Sequence, residues 1–143
     1  MTTFVVDASV GAKWLLPASD EPLSQQALSL LRRYTRDEVR LLVPDLFWTE
    51  VANVLWKAVR QRRWSASTAQ SALSHLMQLA LPTIPCAEVL ENTLAIALKF
   101  DRTAYDSLYV AVAVSTDSTL VTADERLANA LAAHFPVRWI GSV

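Results

Sequence analysis

The chain has 143 residues, of which 52% are hydrophobic and 19% are charged, and its formal net charge is −1. This composition excludes an intrinsically disordered chain, because enough apolar side chains are present to build a core. It also excludes attraction of nucleic acid by an overall positive field, so any such binding must come from a local basic surface. The length predicts one domain that spans residues 1–143.

The sequence carries no signal for export or for membrane insertion. No apolar run reaches the roughly 18 residues that a membrane-spanning helix needs, and the N-terminal segment MTTFVVDASV lacks the basic start of an export signal. Cys86 is the only cysteine, so an internal disulfide cannot form. Together these features predict a cytoplasmic protein without a membrane partner.

Short β-rich segments alternate with longer helical segments along the chain. Strands are predicted at 3–6, 40–43, 83–84, 118–122 and 137–140. Helices are predicted at 11–16, 22–34, 45–63, 65–79, 87–100, 104–115 and 124–133. Asp45 and Ser65 are the predicted N-caps of their helices. The alternation predicts an α/β domain with a parallel sheet, which binds ligands where the strand order reverses.

A purely structural role explains the positions of Asp7 and Glu50 poorly. Asp7 directly follows the first predicted strand, and a buried strand seldom ends on an uncompensated carboxylate. The structural alternative is an N-cap of the next helix, formed by Asp7 or Ser9. Glu50 lies within about 40° of Leu46 and Val54 on its predicted helix, so it shares the apolar face. The structural alternative is a charge at the edge of that face, paired with a surface base.

Asp106 and Asp124 each lie near the start of a predicted helix. Asp106 is in the first turn of the most apolar helix, where a capping box with Thr103 is the alternative to a functional role. Asp124 follows a strand, and its structural alternative is an N-cap. However, Thr122 and Glu125 have the T-x-x-E spacing of a capping box. This spacing predicts Thr122 as the cap and leaves Asp124 free for chemistry.

The four acids share one kind of position, either the carboxyl end of a strand or the opening turns of a helix. In a doubly wound sheet such positions can meet at one edge. Close carboxylates repel one another unless a cation lies among them, and all-oxygen ligands suit Mg²⁺ or Mn²⁺ and not Zn²⁺. Such ions generate hydroxide from water and stabilise a leaving oxygen. The predicted chemistry is metal-dependent phosphodiester hydrolysis by Asp7, Glu50, Asp106 and Asp124.

Four segments in order resemble the PIN-domain ribonucleases, and in particular the VapC-type toxins of type II toxin–antitoxin pairs. The segments are VVDASVGAKWLLP, PDLFWTEVANVLWK, TAYDSLYVAVA and LVTADERL. The resemblance covers almost the whole chain and implies a three-layer α/β/α sandwich around a central parallel sheet. It also implies Mg²⁺- or Mn²⁺-dependent cleavage of single-stranded or looped RNA, a homodimer, and inhibition by a small cognate antitoxin.

The resemblance also implies roles for individual residues. The catalytic and metal-binding quartet of the family carries over onto Asp7, Glu50, Asp106 and Asp124. The supporting polar residues carry over onto Ser9, Thr122 and Asn53. The main competing hypothesis is a PIN-like module that has no catalytic activity and binds RNA or protein. A phosphoacceptor signalling domain is a third hypothesis, but it requires a lysine near the end of a late strand, and the last lysine is Lys99.

A basic segment with two flanking tryptophans, WKAVRQRRW, spans residues 56–64. Basic side chains bind phosphates, and aromatic faces stack on unpaired bases. The predicted RNA-binding residues are Lys57, Arg60, Arg62 and Arg63. Two alternatives stay open for this segment. One is a solvated helix end, where cations favour the dipole; the other is a protein interface for a second copy or an antitoxin.

Overall fold

A computed structural model describes all 143 residues, and a sheet of five strands lies at its centre. The strands are β1 (Thr3–Val6), β2 (Arg40–Pro44), β3 (Thr83–Ile84), β4 (Thr119–Thr122) and β5 (Val137–Trp139). Their order in the sheet is β3-β2-β1-β4-β5, and every neighbouring pair is parallel. The predicted parallel sheet is therefore confirmed, and no strand boundary differs from its prediction by more than one residue.

Seven α-helices connect or follow the strands. They are α1 (Ala8–Leu15), α2 (Ser24–Thr35), α3 (Leu46–Arg60), α4 (Ala66–Met77), α5 (Leu90–Phe100), α6 (Ala104–Ser115) and α7 (Glu125–Leu131). Short 3₁₀ turns cover Cys86–Val89 and Ile140–Ser142. The helix predicted over 45–63 ends at Arg60, because Arg62 takes a left-handed φ of 59°. None of the helices combines the length and the hydropathy of a bilayer-spanning segment.

The two predicted N-caps at Asp45 and Ser65 have different outcomes. Ser65 accepts a hydrogen bond from the Thr68 amide at 3.1 Å, which confirms it as the cap of α4. Asp45 occupies the N-cap position of α3, but its backbone is already helical (φ −61°, ψ −28°) and its side chain makes no capping hydrogen bond, so the predicted capping role is wrong. The Asp45 carboxylate instead accepts hydrogen bonds from the Cys86 amide at 3.1 Å and from the Cys86 thiol. Asp45 therefore ties the start of α3 to the turn after β3.

The strand order reverses between β1 and β4. From β1, the chain extends the sheet first to β2 and β3 on one side and later to β4 and β5 on the other. Because crossovers between parallel strands are right-handed, this order places α1–α4 on one face and α5–α7 on the other. The result is the predicted three-layer sandwich. Asp7 follows β1 and Asp124 follows β4 by two residues, so both lie at the edge where open α/β sheets bind ligands.

Two packing features position the helices at this edge. Helix α6 packs against β1, β2 and β4, and its segment from Ser107 to Ala113 is buried throughout, as the sequence predicts. On the other face, Gly11 of α1 lies against α3. A Cβ atom at Gly11 would lie 2.8 Å from two ring carbons of Phe47, which is fully buried. The missing side chain therefore lets α1 approach α3 closely beside the predicted acids.

Candidate active site

A cavity of about 140 Å³ lies at the carboxyl ends of β1 and β4. Four carboxylates from separate parts of the chain line it, together with Ser9 and the buried Tyr109. The four are Asp7, Glu50, Asp106 and Asp124. We call this space the acid cavity. The structure thus brings together all four acids that the sequence singles out, and the residues between them supply the sheet and the helices that hold them.

Asp7 is the most buried of the four acids, with 7% of its surface exposed. Its Oδ1 accepts hydrogen bonds from the Ser9 hydroxyl at 2.5 Å and from the Val10 amide at 3.3 Å. Asp7 is therefore the N-cap of α1, which is its structural alternative, and it also lines the cavity, so capping does not remove it from the predicted site. Burial raises the pKa of Asp7 to about 6, although hydrogen bonds from Ser9, Thr122 and Val10 lower it and the charge of Glu50 raises it. Such a carboxyl group ionises more readily beside a cation.

Ser9 and Thr122 join the ends of β1 and β4 around the acids. The Ser9 hydroxyl donates to Asp7 and accepts from the Ala123 amide at 3.0 Å. The Thr122 hydroxyl is buried, and it accepts from the Asp124 amide at 3.0 Å. Both supporting hydroxyls therefore hold the two aspartates in place by hydrogen bonds.

The helix cap after β4 differs from the predicted one. Asp124 is the N-cap of α7, and its Oδ1 accepts from the Leu127 amide at 3.2 Å. The prediction that Thr122 is the cap is wrong, because Thr122 is still in β4 and pairs with Trp139 of β5. Asp124 nevertheless lines the acid cavity. The capping bond uses one carboxylate oxygen and fixes the orientation of the other.

Asp106 enters the acid cavity from the first turn of α6. The Thr103 hydroxyl caps this helix by accepting from the Asp106 amide at 3.1 Å, so the backbone of Asp106, and not its carboxylate, makes the cap. The carboxylate lies 3.9 Å from the Arg102 guanidinium. Burial raises the pKa of Asp106, the Arg102 charge lowers it, and the charge of Asp124 raises it again. Asp106 and Asp124 are therefore close enough to repel each other.

Glu50 has a partner that the sequence did not reveal. The buried phenol of Tyr109 donates a hydrogen bond of 2.5 Å to Oε1 of Glu50. Burial, together with the Glu50 carboxylate, raises the pKa of Tyr109 far above its ordinary value, so the phenol keeps its proton. Tyr109 lies in the most apolar helix and resembles a core residue. Two features of the sequence could have indicated Tyr109. A buried tyrosine needs a polar partner for its hydroxyl, and Asp106 lies three residues earlier on the same helix face.

The donor set of the acid cavity fits a hard divalent cation. Four carboxylates and the Ser9 hydroxyl line the cavity, and neither histidine nor cysteine does. Oxygen ligands of this kind suit Mg²⁺ or Mn²⁺. The side chains do not form a ready-made cage, since no three acidic, histidine or cysteine residues are arranged to hold an ion. Charge repulsion contributes to the raised pKa values of Asp7 and Asp106, and a cation would relieve it.

A second cavity of about 550 Å³ adjoins the first and shares Ala8, Ser9 and Glu50 with it. We call it the side cavity. Asn53 and Lys57 line this space and do not line the acid cavity. The predicted supporting residue Asn53 therefore lies one turn beyond Glu50 on α3, outside the acid cavity but next to it.

The predicted RNA-binding residues of the basic segment do not share one environment. Lys57 lines the side cavity and forms no ion pair. The Arg60 guanidinium lies 5.5 Å from the centre of the Trp56 ring. Arg63 pairs with Asp20 at 3.3 Å, which neutralises part of its charge. Arg62 is exposed beyond the end of α3. Of the four, only Lys57 lines a cavity beside the acids, and RNA binding by the segment stays a prediction.

The family model described as "PIN domain" matches residues 4–131. The chain belongs to the PIN-domain family. Ribonuclease VapC3 of Pyrobaculum aerophilum is 36% identical to it in an alignment of 127 residues that covers 87% of this chain and 92% of the relative. This similarity places the PIN domain among the VapC ribonucleases, as its four sequence segments indicate.

Solved structures confirm the predicted PIN fold. The crystal structure of PAE2754 from Pyrobaculum aerophilum has a TM-score of 0.68 and 25% identity, with 99% of this chain and 91% of that chain covered. The crystal structure of Mycobacterium tuberculosis VapC20, titled a sarcin–ricin loop cleaving toxin, has a TM-score of 0.65 and 16% identity, with 92% and 95% covered. The second likeness is one of fold alone.

Proposed function

We propose that this PIN domain is a metal-dependent endoribonuclease and the toxin of a type II toxin–antitoxin pair. The observation that carries the proposal is the convergence of four acids on one cavity at the reversal point of the sheet. Membership of the VapC ribonucleases supplies the substrate class, which is RNA. The proposed catalytic residues are Asp7, Glu50, Asp106 and Asp124. We further propose that residues 1–143 act as one domain.

In this proposal Asp7, Asp106 and Asp124 hold Mg²⁺ or Mn²⁺, with Glu50 completing the ligand set. When bound by these residues, such an ion would activate water for attack and would offset negative charge on the scissile phosphate. Ser9 and Thr122 fix the two aspartates that follow β1 and β4, so the ligands are positioned before RNA arrives. Tyr109 holds one oxygen of Glu50. Lys57, which forms no ion pair, offers a positive charge to the RNA backbone beside the acids.

We also propose a homodimer and inhibition by a small cognate antitoxin. Exposed apolar side chains support protein partners, because monomeric proteins rarely expose them in continuous patches. Leu90, Leu94 and Leu98 recur at one-turn spacing on α5, and each is more than half exposed. Light scattering of the purified chain tests the dimer. If a small open reading frame lies beside the gene, co-expression of its product tests the antitoxin, which should restore growth and co-purify with the protein.

Induced expression with sequencing of RNA ends tests the ribonuclease directly. Wild-type protein should stop growth and generate new RNA ends, whereas Asp7→Asn at equal abundance should do neither. The purified protein should cut the same RNA with Mg²⁺ or Mn²⁺ and should stop when EDTA is added. If both proteins have the same effect on growth and on RNA ends, the proposed chemistry is wrong. A protein that binds RNA without cutting it would favour the non-catalytic module.

A further inference from the structure

The side cavity has the size and position of a site for part of the substrate. Its volume of about 550 Å³ lies within the range of roughly 300–1,000 Å³ that is usual for small-molecule sites. It shares Glu50 and Ser9 with the acid cavity. The two cavities are therefore neighbours, and an RNA strand whose phosphate lies at the acids could place an adjacent nucleotide in the side cavity.

Tyr105 is the aromatic residue of this cavity. It lies in the first turn of α6, directly before Asp106, and 63% of its surface is exposed. A large exposed ring gains little from packing within the domain, so it is available to a ligand. Helix α3 also lines the cavity, with Asn53 and Lys57 about one and two turns beyond Glu50 along the helix. The cavity thus offers a ring, an amide and an unpaired ammonium group.

We propose that the side cavity binds one unpaired nucleotide next to the scissile phosphate, with its base stacked on Tyr105 and its phosphate paired with Lys57. The proposal rests on the proposed ribonuclease function and names the part of the substrate that this surface selects. Every base has a π-face, so stacking on a tyrosine ring tolerates any sequence. The positive charge of Lys57 offsets the repulsion between the phosphate and the nearby Glu50.

This subsite predicts a preference for single-stranded RNA. A base inside a duplex reaches a protein ring only after it is unstacked and unpaired, which costs free energy. For a base that is already unpaired, this free-energy cost is smaller. The side cavity therefore favours loops and single strands, and Asn53 lines it as a hydrogen-bonding group.

Trp56 is the rival stacking residue, since it is the other strongly exposed aromatic side chain, at 54%. It lines a separate apolar groove between α3 and α4, and the Arg60 guanidinium lies 5.5 Å from the centre of its ring. It lines neither the acid cavity nor the side cavity. The geometry therefore assigns stacking to Tyr105 and not to Trp56.

A binding experiment shows whether the base stacks on Tyr105 or on Trp56. The probe is a short single-stranded RNA with 2-aminopurine at one position, bound to the full chain in EDTA so that it is not cut. Tyr105→Ala should weaken binding about fivefold to hundredfold and abolish the quenching of 2-aminopurine, whereas Tyr105→Phe should retain both. Lys57→Met should reduce, by about 0.7, the slope of the logarithm of the binding constant against the logarithm of the salt concentration. Trp56→Ala should leave quenching unchanged.

Two outcomes overturn the subsite. One is wild-type affinity and quenching in Tyr105→Ala, and the other is loss of quenching in Trp56→Ala alone. Cleavage of the unlabelled RNA by wild-type protein with Mg²⁺ is measured in parallel. Wild-type protein that cuts RNA while Tyr105→Ala behaves normally contradicts the subsite alone. Wild-type protein that neither binds nor cuts RNA contradicts the ribonuclease function, and the subsite with it.

Discussion

The phenol of Tyr109 on α6 donates a hydrogen bond of 2.5 Å to Oε1 of Glu50 on α3. This bond links helices from opposite faces of the sheet across the acid cavity. A glutamate side chain has several rotatable bonds, so holding it in one orientation costs conformational entropy. The hydrogen bond already orders the Glu50 side chain before a ligand binds, so less entropy is lost on binding. It leaves the second oxygen of Glu50 free.

We expect Tyr109→Phe to weaken metal binding and catalysis without unfolding the domain. The substitution removes the hydroxyl and keeps the ring in its buried position. Glu50 then loses its fixed orientation, so the dissociation constant for Mn²⁺ and the single-turnover cleavage rate should each worsen by about tenfold, which corresponds to one ordinary hydrogen bond. A Mn²⁺ titration checks the first effect independently of activity. Unchanged Mn²⁺ affinity would show that Tyr109 only packs.

Buried Asp7 should make the stability of the metal-free domain depend on pH. Its pKa is raised from 3.8 to about 6 in the folded state, so the folded protein retains a proton that the unfolded chain releases. The raised pKa of Asp7 contributes roughly 3 kcal/mol to the free energy of unfolding below about pH 4, and this contribution is lost as the pH rises through about 6. Urea denaturation in EDTA across this interval should show the free energy of unfolding falling.

Asp7→Asn provides the matched control for this pH dependence. Asparagine is also an effective N-cap and its side-chain oxygen can accept the bonds from Ser9 and Val10, so the fold should persist. The decline in stability between about pH 4 and 6 should shrink in the variant. In the wild type, Mn²⁺ added at pH 7 should restore stability by binding the folded state. An unchanged decline in Asp7→Asn would mean that another group titrates.

A pair of substitutions at Asp124 should separate capping from charge. Asp124→Asn keeps an oxygen for the Leu127 amide, so its stability should stay near that of the wild type while RNA cleavage is abolished. Asp124→Ala removes the cap as well and should cost about 1 kcal/mol more. Thermal unfolding and a cleavage assay on the same samples measure both effects. Wild-type cleavage by Asp124→Asn would restrict this residue to its cap.

The basic segment should contribute to RNA binding mainly through Lys57. Lys57 lines the side cavity without an ion pair, whereas Arg63 is paired with Asp20. Replacing Lys57 with methionine should therefore weaken RNA binding and flatten its dependence on salt more than the same replacement at Arg63. Binding measured over a salt series distinguishes them. Equal effects of the two variants would indicate a wider basic surface, and no effect of either would assign the segment to another role.

The sequence was sufficient where a local pattern and the global topology agree. Asp7 follows β1 and Asp106 opens the most apolar helix, and both positions are readable from the period of apolar residues. The parallel sheet then brings them to one edge. Glu50 was found for a related reason, since a charged residue on an apolar helix face has to be compensated by something in three dimensions.

The sequence was insufficient where two local rules compete or where a partner lies far along the chain. Thr122 and Asp124 both fit an N-cap, and the choice depends on where β4 stops pairing with β5. Asp45 has a capping residue type but bonds to Cys86, which follows β3. Tyr109 resembles a core residue until the position of Glu50 is known. Each of these outcomes is decided by tertiary contacts that no short window contains.

The proposed function requires that four distant carboxylates form one cation site that cuts RNA. Its most direct test is a Mn²⁺ titration followed by electron paramagnetic resonance of free Mn²⁺, for the wild type and for Asp7→Asn, Glu50→Gln, Asp106→Asn and Asp124→Asn. We predict that every variant stays folded by circular dichroism, binds Mn²⁺ at least tenfold more weakly and fails to cleave RNA. Folded variants that bind Mn²⁺ and cut RNA like the wild type would contradict the claim.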